Sequence, residues 1–447
     1  MKKHFYRLFA LCLALVMTLG VVACGQKPAE GNTPATGNGD KEDITLNVWV
    51  QSLVNSKDLL NPEEDWWISK AIKEFQKEYP HVKVELTKQN SGSEAATMFR
   101  AGATNGTAPD IAEFWSGSWM TDLEPYAYPV DELLTKEEQA KIWGWESVSL
   151  DFNANNKRVA IPINNQTMAG FYYNKEIIQK AGLDFENNAP KTVEELFDAC
   201  EKIKAAGYTP IIADEGSDHG LIYFVFCYWW VQQTGYETMV KQNKGESKYV
   251  DDKGLIKAME LYQQLYTKGY VNSDIAAASD AESRFLMGTE AAMYAKTSAA
   301  ADTVYKGLGD KAGFIKVGDA SANGVMQNKL IGGCGQAFIV SKDTKHPEEC
   351  AALIKYLNSP EEFVKFKQVR TASVPNVDGV KLEDMGDLNP VAKKIMGWTA
   401  DTTFYVDNVV DADVISELIR YSCDLLTGAK TPTQVAEAMD AIIAAKK

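Results

Sequence analysis

Strand-like and helix-like segments alternate along this chain from Ile44 onwards, and this alternation limits the available folds more than any other feature of the sequence. Residues 44–50 alternate in polarity and are rich in β-branched side chains, which predicts a strand. Residues 66–79 place apolar side chains on one helical face, and Pro80 ends that helix. Strands that alternate with helices predict an α/β fold with a largely parallel sheet. Ligands of such sheets bind beyond the carboxyl ends of the strands.

The same alternation continues through the rest of the chain. Further strands are predicted at residues 81–86, 109–114, 158–163, 170–174, 209–213, 290–294 and 332–340, and further helices at residues 93–103, 192–206, 221–231 and 256–268. Thr192 and Glu195 have the spacing of a capping box at a helix start, and Gly207 follows that helix as a stop signal. From Pro347 onwards the pattern is mostly helical. A chain of 447 residues with this pattern is long enough for two or three domains.

The N-terminal segment has a different character. A short basic region precedes an uncharged apolar stretch from Leu8 to Ala23, which is too short for a comfortable membrane span and predicts a secretory signal peptide over residues 1–23. The stretch ends in Val-Val-Ala before Cys24, which resembles a bacterial lipobox. That motif implies cleavage before Cys24 and diacylation of its thiol, and two acyl chains anchor a protein stably. An ordinary signal peptide with a chance cysteine is the alternative.

Residues 24–43 are predicted to form a flexible linker. They contain no large apolar side chain after Cys24 and are rich in Gly, Pro, Asn and Thr. Such a segment cannot bury enough apolar surface to pack. The leader and this linker together therefore fit a protein tethered to the outside of a membrane by its lipid.

Charge and cysteine usage exclude several classes of partner. The formal net charge is −15, and loss of the basic leader would make the chain more acidic. Nucleic acids and anionic membrane surfaces select for stripes of Lys and Arg, so the charge argues against both. Beyond Cys24, the sequence has no C-x-x-C and no pair of histidines near a cysteine, so we expect neither a metal site nor a disulfide framework. Small buried apolar roles are expected for Cys200, Cys227, Cys334, Cys350 and Cys423.

The sequence lacks the motifs of the common enzyme classes. It contains no G-x-S-x-G, no H-E-x-x-H and no G-x-x-x-x-G-K-[ST], and no cofactor is indicated. His219 lies in the polar loop after strand 209–213, where a polar contact is the more common role than catalysis. A carboxylate pair for glycoside hydrolysis stays open as an alternative, because Glu113, Asp214 and Glu215 all lie at predicted strand ends. We therefore predict a binding protein rather than an enzyme.

Aromatic side chains beside polar loop residues are the stronger functional signal. A sugar presents apolar C–H faces and a rim of hydroxyls, so a matching site pairs Trp or Tyr with acids, amides and Arg. Trp115 is the first candidate, because it leaves a predicted strand into the segment Trp-Ser-Gly-Ser-Trp. Trp49 and Trp398 also lie near loop ends, and Arg370 either binds a ligand or pairs with an acid. For each tryptophan, packing in the core is the alternative.

The order of these features resembles the family 1 extracellular solute-binding proteins, the sugar-type receptors of bacterial ABC importers. The resemblance runs from residue 44 to about residue 440. It rests on the opening strand with its Trp, on a run of short motifs, and on the lipobox with its linker. The motifs are Ala-Pro-Asp-Ile at 108–111, Leu-Glu-Pro at 123–125, Ala-Ile-Pro at 160–162, Phe-Tyr-Tyr-Asn-Lys at 171–175, Pro-Lys-Thr-Val-Glu-Glu-Leu at 190–196, Gly-Thr-Glu-Ala-Ala-Met at 288–293 and the Gly-Gly segment at 332–333.

The resemblance implies a two-lobe periplasmic-binding-protein-like fold of type II. Each lobe would be a mainly parallel sheet flanked by helices, with a hinge between the lobes. Lobe 1 would comprise residues 44–163 with 337–376, and lobe 2 residues 167–333 with 377–447. The ligand would touch both lobes in the closed state and so favour closure.

The resemblance and the aromatic signal together give a set of ligand-binding residues at loop ends. The set is Trp49, Gln51, Trp115, Ser116, Ser118, Asn165, Gln166, Asp214, Glu215, Ser217, Ser298, Gly333, Arg370 and Trp398. Many oligosaccharide receptors place an aromatic residue shortly after the Ala-Met-Tyr segment, where this chain has Thr-Ser-Ala-Ala-Ala at 297–301. That departure argues for a smaller or differently decorated sugar than a long linear oligosaccharide.

We predict a monomeric, lipid-anchored receptor on the extracellular face of a bacterial cell membrane. It would bind a sugar or small oligosaccharide without turnover and deliver it to the permease subunits of an ABC importer. Two alternatives are a surface carbohydrate-active hydrolase and a solute sensor that presents its ligand to a signalling partner. The fold class, α/β with two lobes, is common to the receptor and the sensor.

Overall fold

Two mixed β-sheets, each covered by helices, make up the folded part of the chain. In this computed structural model the described residues are 42–54, 58–90, 93–148, 158–163, 166–369, 375–398 and 401–447. Asp43–Lys447 belong to one compact unit. Within the described ranges, no helix combines the length and the apolar character needed to cross a membrane. Cys24 and the leader lie outside these ranges.

The strands follow the predicted segments closely. β1 coincides with the prediction, and its alternating burial places Leu46, Val48 and Val50 in the core. The strands are β1 (Ile44–Val50), β2 (Val82–Lys88), β3 (Ile111–Trp115), β4 (Ile161–Pro162), β5 (Gln166–Asn174), β6 (Thr209–Ile212), β7 (Ala291–Thr297), β8 (Ala312–Ile315), β9 (Leu330–Cys334), β10 (Gln336–Val340) and β11 (Thr402–Phe404).

A capping residue fixes the start of the predicted helix 192–206. Thr192 caps the predicted helix 192–206, because its hydroxyl accepts the backbone N–H of Glu195 at 3.3 Å, while the Glu195 carboxylate accepts the N–H of Lys191 at 2.7 Å. The helices are α1 (Trp67–Glu78), α2 (Ser93–Asn105), α3 (Val130–Leu133), α4 (Lys136–Ala140), α5 (Lys175–Lys180), α6 (Val193–Ala205), α7 (Cys227–Thr234), α8 (Tyr236–Asn243), α9 (Lys253–Thr267), α10 (Ala281–Leu286), α11 (Ala301–Leu308), α12 (Pro347–Leu357), α13 (Pro360–Val369), α14 (Pro390–Met396), α15 (Ala412–Arg420), α16 (Ser422–Thr427) and α17 (Pro432–Ala445).

The two sheets define two lobes. The first sheet has the order β2-β1-β3-β10-β4, and the second has the order β11-β9-β5-β7-β6 with β8 paired to β5. We call each sheet with its covering helices the first and the second lobe. In the first lobe α1, α2 and α12 lie on the sheet, and in the second lobe α5, α6, α10, α11 and α14 contact the strands.

Both sheets are mixed, which corrects the expectation of mainly parallel sheets. β1 is parallel to β2 and β3, but β10 runs antiparallel to both β3 and β4. In the second sheet β5 is antiparallel to β7, β8 and β9, whereas β6–β7 and β9–β11 are parallel. The reason is that β5 and β10 enter their sheets directly from the other lobe, without the crossover helix that makes neighbouring strands parallel.

The predicted strand 332–340 is two strands in two different sheets. β9 ends at Cys334 in the second sheet and β10 begins at Gln336 in the first sheet, so the chain changes lobe at Gly335. β4 and β5 are likewise successive strands in different sheets. Residues 164–165 and 370–374, which lie at or near two of the predicted lobe boundaries, fall outside the described residues. The lobe boundaries taken from the resemblance therefore stay predictions.

Candidate functional site

Glu113 shapes the loop that follows β1. Its side chain is fully buried, and its carboxylate accepts the backbone N–H groups of Gln51 at 2.7 Å, Ser52 at 2.9 Å and Leu53 at 3.1 Å. Three backbone donors on one carboxylate turn the chain sharply at the carboxyl end of β1. The Glu113 carboxylate is thus engaged inside the fold, which weakens its candidacy as half of a hydrolytic pair.

Trp115 lies beside that loop, at the end of β3. Its indole N–H donates to Ser52 Oγ at 3.2 Å, and its ring meets the ring of Trp119 edge to face with centroids 5.6 Å apart. Both tryptophans are half-buried, so part of each ring stays accessible for contact with a ligand. The first lobe therefore presents a tryptophan pair at its strand ends.

The segment between these tryptophans touches the second lobe directly. Ser116 donates through its hydroxyl to the carbonyl oxygen of Cys334 at 2.6 Å and accepts from Asn408 Nδ2 at 3.0 Å. Ser118 donates to the carbonyl oxygen of Asp407 at 2.8 Å. Gly117 has φ +77°, and a Cβ there would overlap the backbone of Asn408 and lie 2.7 Å from the Asp407 carbonyl oxygen. Only a glycine permits this approach.

The second lobe also contains half-buried aromatic side chains. The rings of Tyr236 and Phe404 are in contact, with centroids 4.0 Å apart and planes tilted by 33°, and the Tyr236 hydroxyl donates to the Phe404 carbonyl oxygen. The Tyr405 hydroxyl is 2.8 Å from Thr167 Oγ1 on β5. Each ring is half-buried. We call the following residues the aromatic patch: Tyr223, Phe224, Tyr236, Phe404 and Tyr405.

Asp407 follows Phe404 and Tyr405 of the aromatic patch along the chain, and its carbonyl oxygen accepts the hydrogen bond from Ser118 of the first lobe. Surrounding protein removes most of the water from its carboxylate, and this burial raises the pKa of Asp407 to about 6. The indole N–H of Trp119 points toward the carboxylate and favours its charged form, without reaching the geometry of an ordinary hydrogen bond. Burial raises the pKa values of Tyr223, Tyr236 and Tyr405, and the negative charge of Asp407 raises all three further.

A second polar group lies at the ends of β6 and β7. Lys296 forms an ion pair with the Asp218 carboxylate, and Asp214 is close enough that burial and then the Asp218 charge raise its pKa. His219 adopts the left-handed region with φ 56°, and its Nδ1 is buried without a hydrogen-bond partner. Ser217 is exposed and donates to the carbonyl oxygen of Ala278 at 3.2 Å.

Glu215 and Ser298 serve the interior of the second lobe. The Glu215 carboxylate is fully buried and accepts from the N–H of Leu221 at 2.9 Å, the N–H of Ile222 at 3.0 Å and the Tyr262 hydroxyl at 2.9 Å. Burial raises the pKa of Glu215 to about 7. Ser298 is also fully buried and accepts the backbone N–H of Met168 at 3.2 Å. Since their polar atoms are engaged by the protein, we leave both out of the site.

The remaining predicted residues are spread over both lobes. Trp49 packs edge-on against Phe99 on the α2 side of the first sheet, and Trp398 packs against Phe314 on the face that α14 covers. Gln51 is 1% exposed, and neither atom of its side-chain amide has a hydrogen-bond partner.

Gly333 lies within the described residues, whereas three other predicted residues, Asn165, Gln166 and Arg370, lie partly or wholly outside them. Gly333 has φ +128° and lies against Ser147 at the end of β9. Asn165 and Arg370 lie outside the described residues, and for Gln166 only the backbone position at the start of β5 is described.

The structure thus joins Trp115, Ser116 and Ser118 with residues that sequence reasoning missed. Those are chiefly Asp407 and the aromatic patch, which come from three separate segments of the second lobe, 223–224, 236 and 404–407. The run Thr-Thr-Phe-Tyr-Val before Asp407 has β-strand character and ends in an acid, and it was the available signal. The expectation of a mostly helical chain after Pro347 concealed it.

Metal and thiol chemistry find no support in the described ranges. No group of three or more His, Cys, Asp or Glu side chains is placed to hold a metal ion there. Cys200, Cys227, Cys334 and Cys350 are buried thiols and Cys423 is half-buried. Burial raises the pKa of Cys200 and of Cys227, which keeps these thiols protonated and unreactive.

Comparison with known proteins agrees with this geometry. A fold comparison matches a chitin oligosaccharide binding protein with a TM-score of 0.74 and 22% identity, covering 90% of this chain and 98% of that protein. This confirms the predicted two-lobe α/β fold. The multiple sugar-binding protein of Streptococcus mutans is 24% identical over 348 residues, which are 74% of this chain and 77% of the relative.

Two further matches bear on the family. An uncharacterized ABC transporter extracellular-binding protein of Pyrococcus horikoshii is 27% identical over 157 residues, and the match spans 32% of this chain and 35% of that relative. The family model described as bacterial extracellular solute-binding protein matches residues 61–362. The chain therefore belongs to the bacterial extracellular solute-binding protein family.

Proposed function

We propose that this protein binds a sugar or small oligosaccharide between its two lobes and delivers it unchanged to an ABC importer. The observation that carries the proposal is the contact between the two lobes through Ser116 and Ser118, which brings the half-buried Trp115 and Trp119 to the segment that follows the half-buried rings of Phe404 and Tyr405. Aromatic faces match the C–H faces of a sugar ring, and polar groups at the edge match its hydroxyls. The names of the Streptococcus relative and of the chitin oligosaccharide binding protein point to the same ligand class.

Each lobe contributes a distinct part of the site. The first lobe supplies Trp115 and Trp119 as stacking surfaces, and the second lobe supplies the aromatic patch with Asp407. Ser116 and Ser118 hold the two parts together, through Cys334, Asn408 and Asp407. A ligand that contacts both lobes stabilises the closed arrangement, and the permease would recognise that arrangement.

The receptor would not turn its ligand over. Glycoside hydrolysis needs an acid and a second carboxylate facing the scissile bond. The carboxylates of Glu113 and Glu215 accept hydrogen bonds from backbone donors inside the protein. We infer that Asp407 binds the sugar rather than protonating it.

We also propose a lipid anchor at Cys24 and a position on the extracellular face of the cell membrane. Support comes from the lipobox-like segment, from the linker over residues 24–43 and from membership of an extracellular family. Labelling of producing cells with a palmitate analogue tests this, with Cys24→Ser as the matched variant: the wild-type chain should take up the label and Cys24→Ser should not, and globomycin should make the larger uncleaved precursor accumulate only in the wild type.

A thermal-shift screen against mono- and oligosaccharides tests the binding function. A ligand that binds only the folded state raises the melting temperature by mass action. Hits would be measured by titration calorimetry, with reducing-sugar release followed in parallel. A panel of sugars without any shift would contradict the proposal, and release of reducing sugar would replace the receptor with a hydrolase.

A further inference from the structure

We propose that the crossing from β9 to β10 bends at Gly333, and that residues 334–336 move as part of the first lobe. The bend would then lie two residues before Gly335, where the chain passes from one sheet to the other. This inference goes beyond the proposed function, because it concerns how the lobes move and does not depend on which ligand binds.

Cys334 is the last residue of β9, yet groups of the first lobe hold it. It is fully buried, its backbone N–H donates to Ser147 Oγ at 3.2 Å, and its carbonyl oxygen accepts from Ser116 Oγ at 2.6 Å. Its thiol donates to the carbonyl oxygen of Gln336 at 3.0 Å. The carbonyl oxygen of Gly335 accepts the backbone N–H of Ser116 at 3.0 Å. The chain just before β10 is therefore fixed to the first lobe.

Ser147 belongs to the first lobe through its own turn. The turn Trp145–Ser147 follows α4, and the Trp145 indole N–H donates to the carbonyl oxygen of Gln139 on that helix at 2.9 Å. Glu138 of α4 forms an ion pair with Lys355 of α12 at 2.9 Å. Ser147 itself is 1% exposed. The serine that accepts the N–H of the last β9 residue is thus part of the packed first lobe.

Gly332, on the other side of Gly333, is fixed in the second sheet. It pairs with Met168 of β5 and with Phe404 of β11. A Cβ at Gly332 would lie 2.3 Å from the carbonyl oxygen of Thr167, so the neighbouring strand leaves no room for movement there. The body of the second sheet therefore reaches as far as Gly332.

Gly333 lies between these two fixed residues. Its φ is +128°, a conformation that glycine adopts readily and that a side chain opposes. The φ of Gly335 lies outside the left-handed region. Cys334 still pairs with Gln166, but that residue is the first of β5 and marks the same border of the sheet. The backbone torsions of Gly333 can thus absorb a rotation between the lobes.

Gly333→Ala and Gly335→Ala are a matched pair that tests the position of the bend. A Cβ at position 333 would lie 2.8 Å from Ser147 Oγ, and alanine rarely adopts the φ found there, so G333A should shift the ratio of closed to open molecules about tenfold toward open. A Cβ at position 335 has no described atom within 4 Å, so G335A should behave as the wild type. Small-angle scattering of the full, unliganded chain should give a larger radius of gyration for G333A alone.

Two further measurements keep the test decisive. Gly182→Ala carries a positive φ of 73° in open space away from the crossing, so it should leave the radius unchanged. Where G333A does not fold, alkylation of the wild-type chain with iodoacetamide and peptide mass spectrometry replace it. Cys334 should react as slowly as the buried Cys200 and more slowly than the half-buried Cys423, because opening at Gly333 leaves Cys334 in its first-lobe contacts.

Two outcomes would overturn the inference. One is a radius of gyration for G333A that is no larger than that of the wild type or of G335A. The other is a Cys334 thiol that reacts as fast as Cys423, because opening at Gly335 would pull that thiol out of its contacts. Neither measurement uses a sugar, so both results leave the sugar receptor to its own thermal-shift test.

Discussion

Two acids of the second lobe, Glu215 and Asp407, share a buried setting and differ in what surrounds them. Burial raises the pKa of each, to about 7 and about 6. The Glu215 carboxylate is saturated by Leu221, Ile222 and Tyr262 within its own lobe. The Asp407 carboxylate faces half-buried rings and an indole from the other lobe. Burial alone therefore does not distinguish the two acids; the hydrogen-bond donors around each carboxylate do.

The largest expected difference between Glu215 and Asp407 is in their contribution to the free energy of unfolding. Glu215→Ala removes the acceptor of three buried donors, so the free energy of unfolding should fall by about 3 kcal/mol, as measured by urea denaturation. Asp407→Ala is the matched variant and should cost less than about 1 kcal/mol, because no protein donor depends on it alone. Equal losses in the two variants would make Asp407 a structural residue.

A second test concerns the contact that brings Asp407 to the first lobe. Gly117→Ala should weaken closure by about 2 kcal/mol, because the added Cβ meets the backbone of Asn408 and the residue keeps a positive φ. Small-angle scattering with saturating ligand should then show a more open particle. Gly182→Ala isolates the backbone penalty, since Gly182 has φ +73° with open space around its Cβ position. If Gly117→Ala and Gly182→Ala close to the same extent with saturating ligand, the contact between Gly117 and Asn408 does not control closure.

The next effect is on ligand affinity and separates site tryptophans from packing tryptophans. Trp115→Ala should weaken sugar binding about tenfold or more, equivalent to about 1.4 kcal/mol. Trp398→Ala should mainly lower the melting temperature, since Trp398 packs on Phe314 beneath two lysines, Lys316 and Lys394. Unchanged affinity in Trp115→Ala by calorimetry would remove that residue from the site.

The smallest effect is a pH dependence of stability. A carboxyl whose pKa is raised on folding holds its proton more tightly in the folded state, so stability is lost as pH rises from the unfolded to the folded pKa. For Asp407 this window runs from about pH 4 to about pH 6. Unscreened, a carboxyl whose pKa rises from about 4 to about 6 would change stability by roughly 2.8 kcal/mol. Because the Asp407 side chain is partly exposed, water screens this effect, so D407N should become more stable than the wild type by about 1 kcal/mol at pH 7, with little gain at pH 4. Glu215 contributes equally to both proteins and cancels. A constant difference across pH would contradict the raised pKa.

Much of the fold could be predicted because it depends on local pattern. β1 spans the predicted residues, and α6 begins after the predicted cap Thr192. The segment 332–340 was predicted as one strand, because a run of apolar residues carries no mark of the sheet to which it belongs. Strand direction in β5 and β10 was missed for the same reason.

The candidate site could be predicted only on the side where its residues are adjacent in the chain. Trp115, Ser116 and Ser118 stand in one segment that leaves a strand, so pattern and loop position identified them together. Asp407 is an ordinary acid in a helix-rich region, and its importance arises from Trp119 and from rings more than 150 residues away, such as Tyr236. Glu215 was predicted as a ligand-binding residue from its position at a strand end, and its burial against Leu221, Ile222 and Tyr262 could not be read from that local pattern.

By itself the sequence determined the α/β class and indicated the family and one loop-end segment of the proposed site, because helix and strand periodicity, caps and loop-end motifs act over a few residues. Only the tertiary structure decided which carboxylate is satisfied and which is not. Ser116 meets Asn408 and Ser118 meets Asp407 across almost three hundred residues, after the chain has changed lobe at Gly335. Hydrogen-bond saturation and burial are properties of the assembled neighbourhood, and no local pattern encodes them.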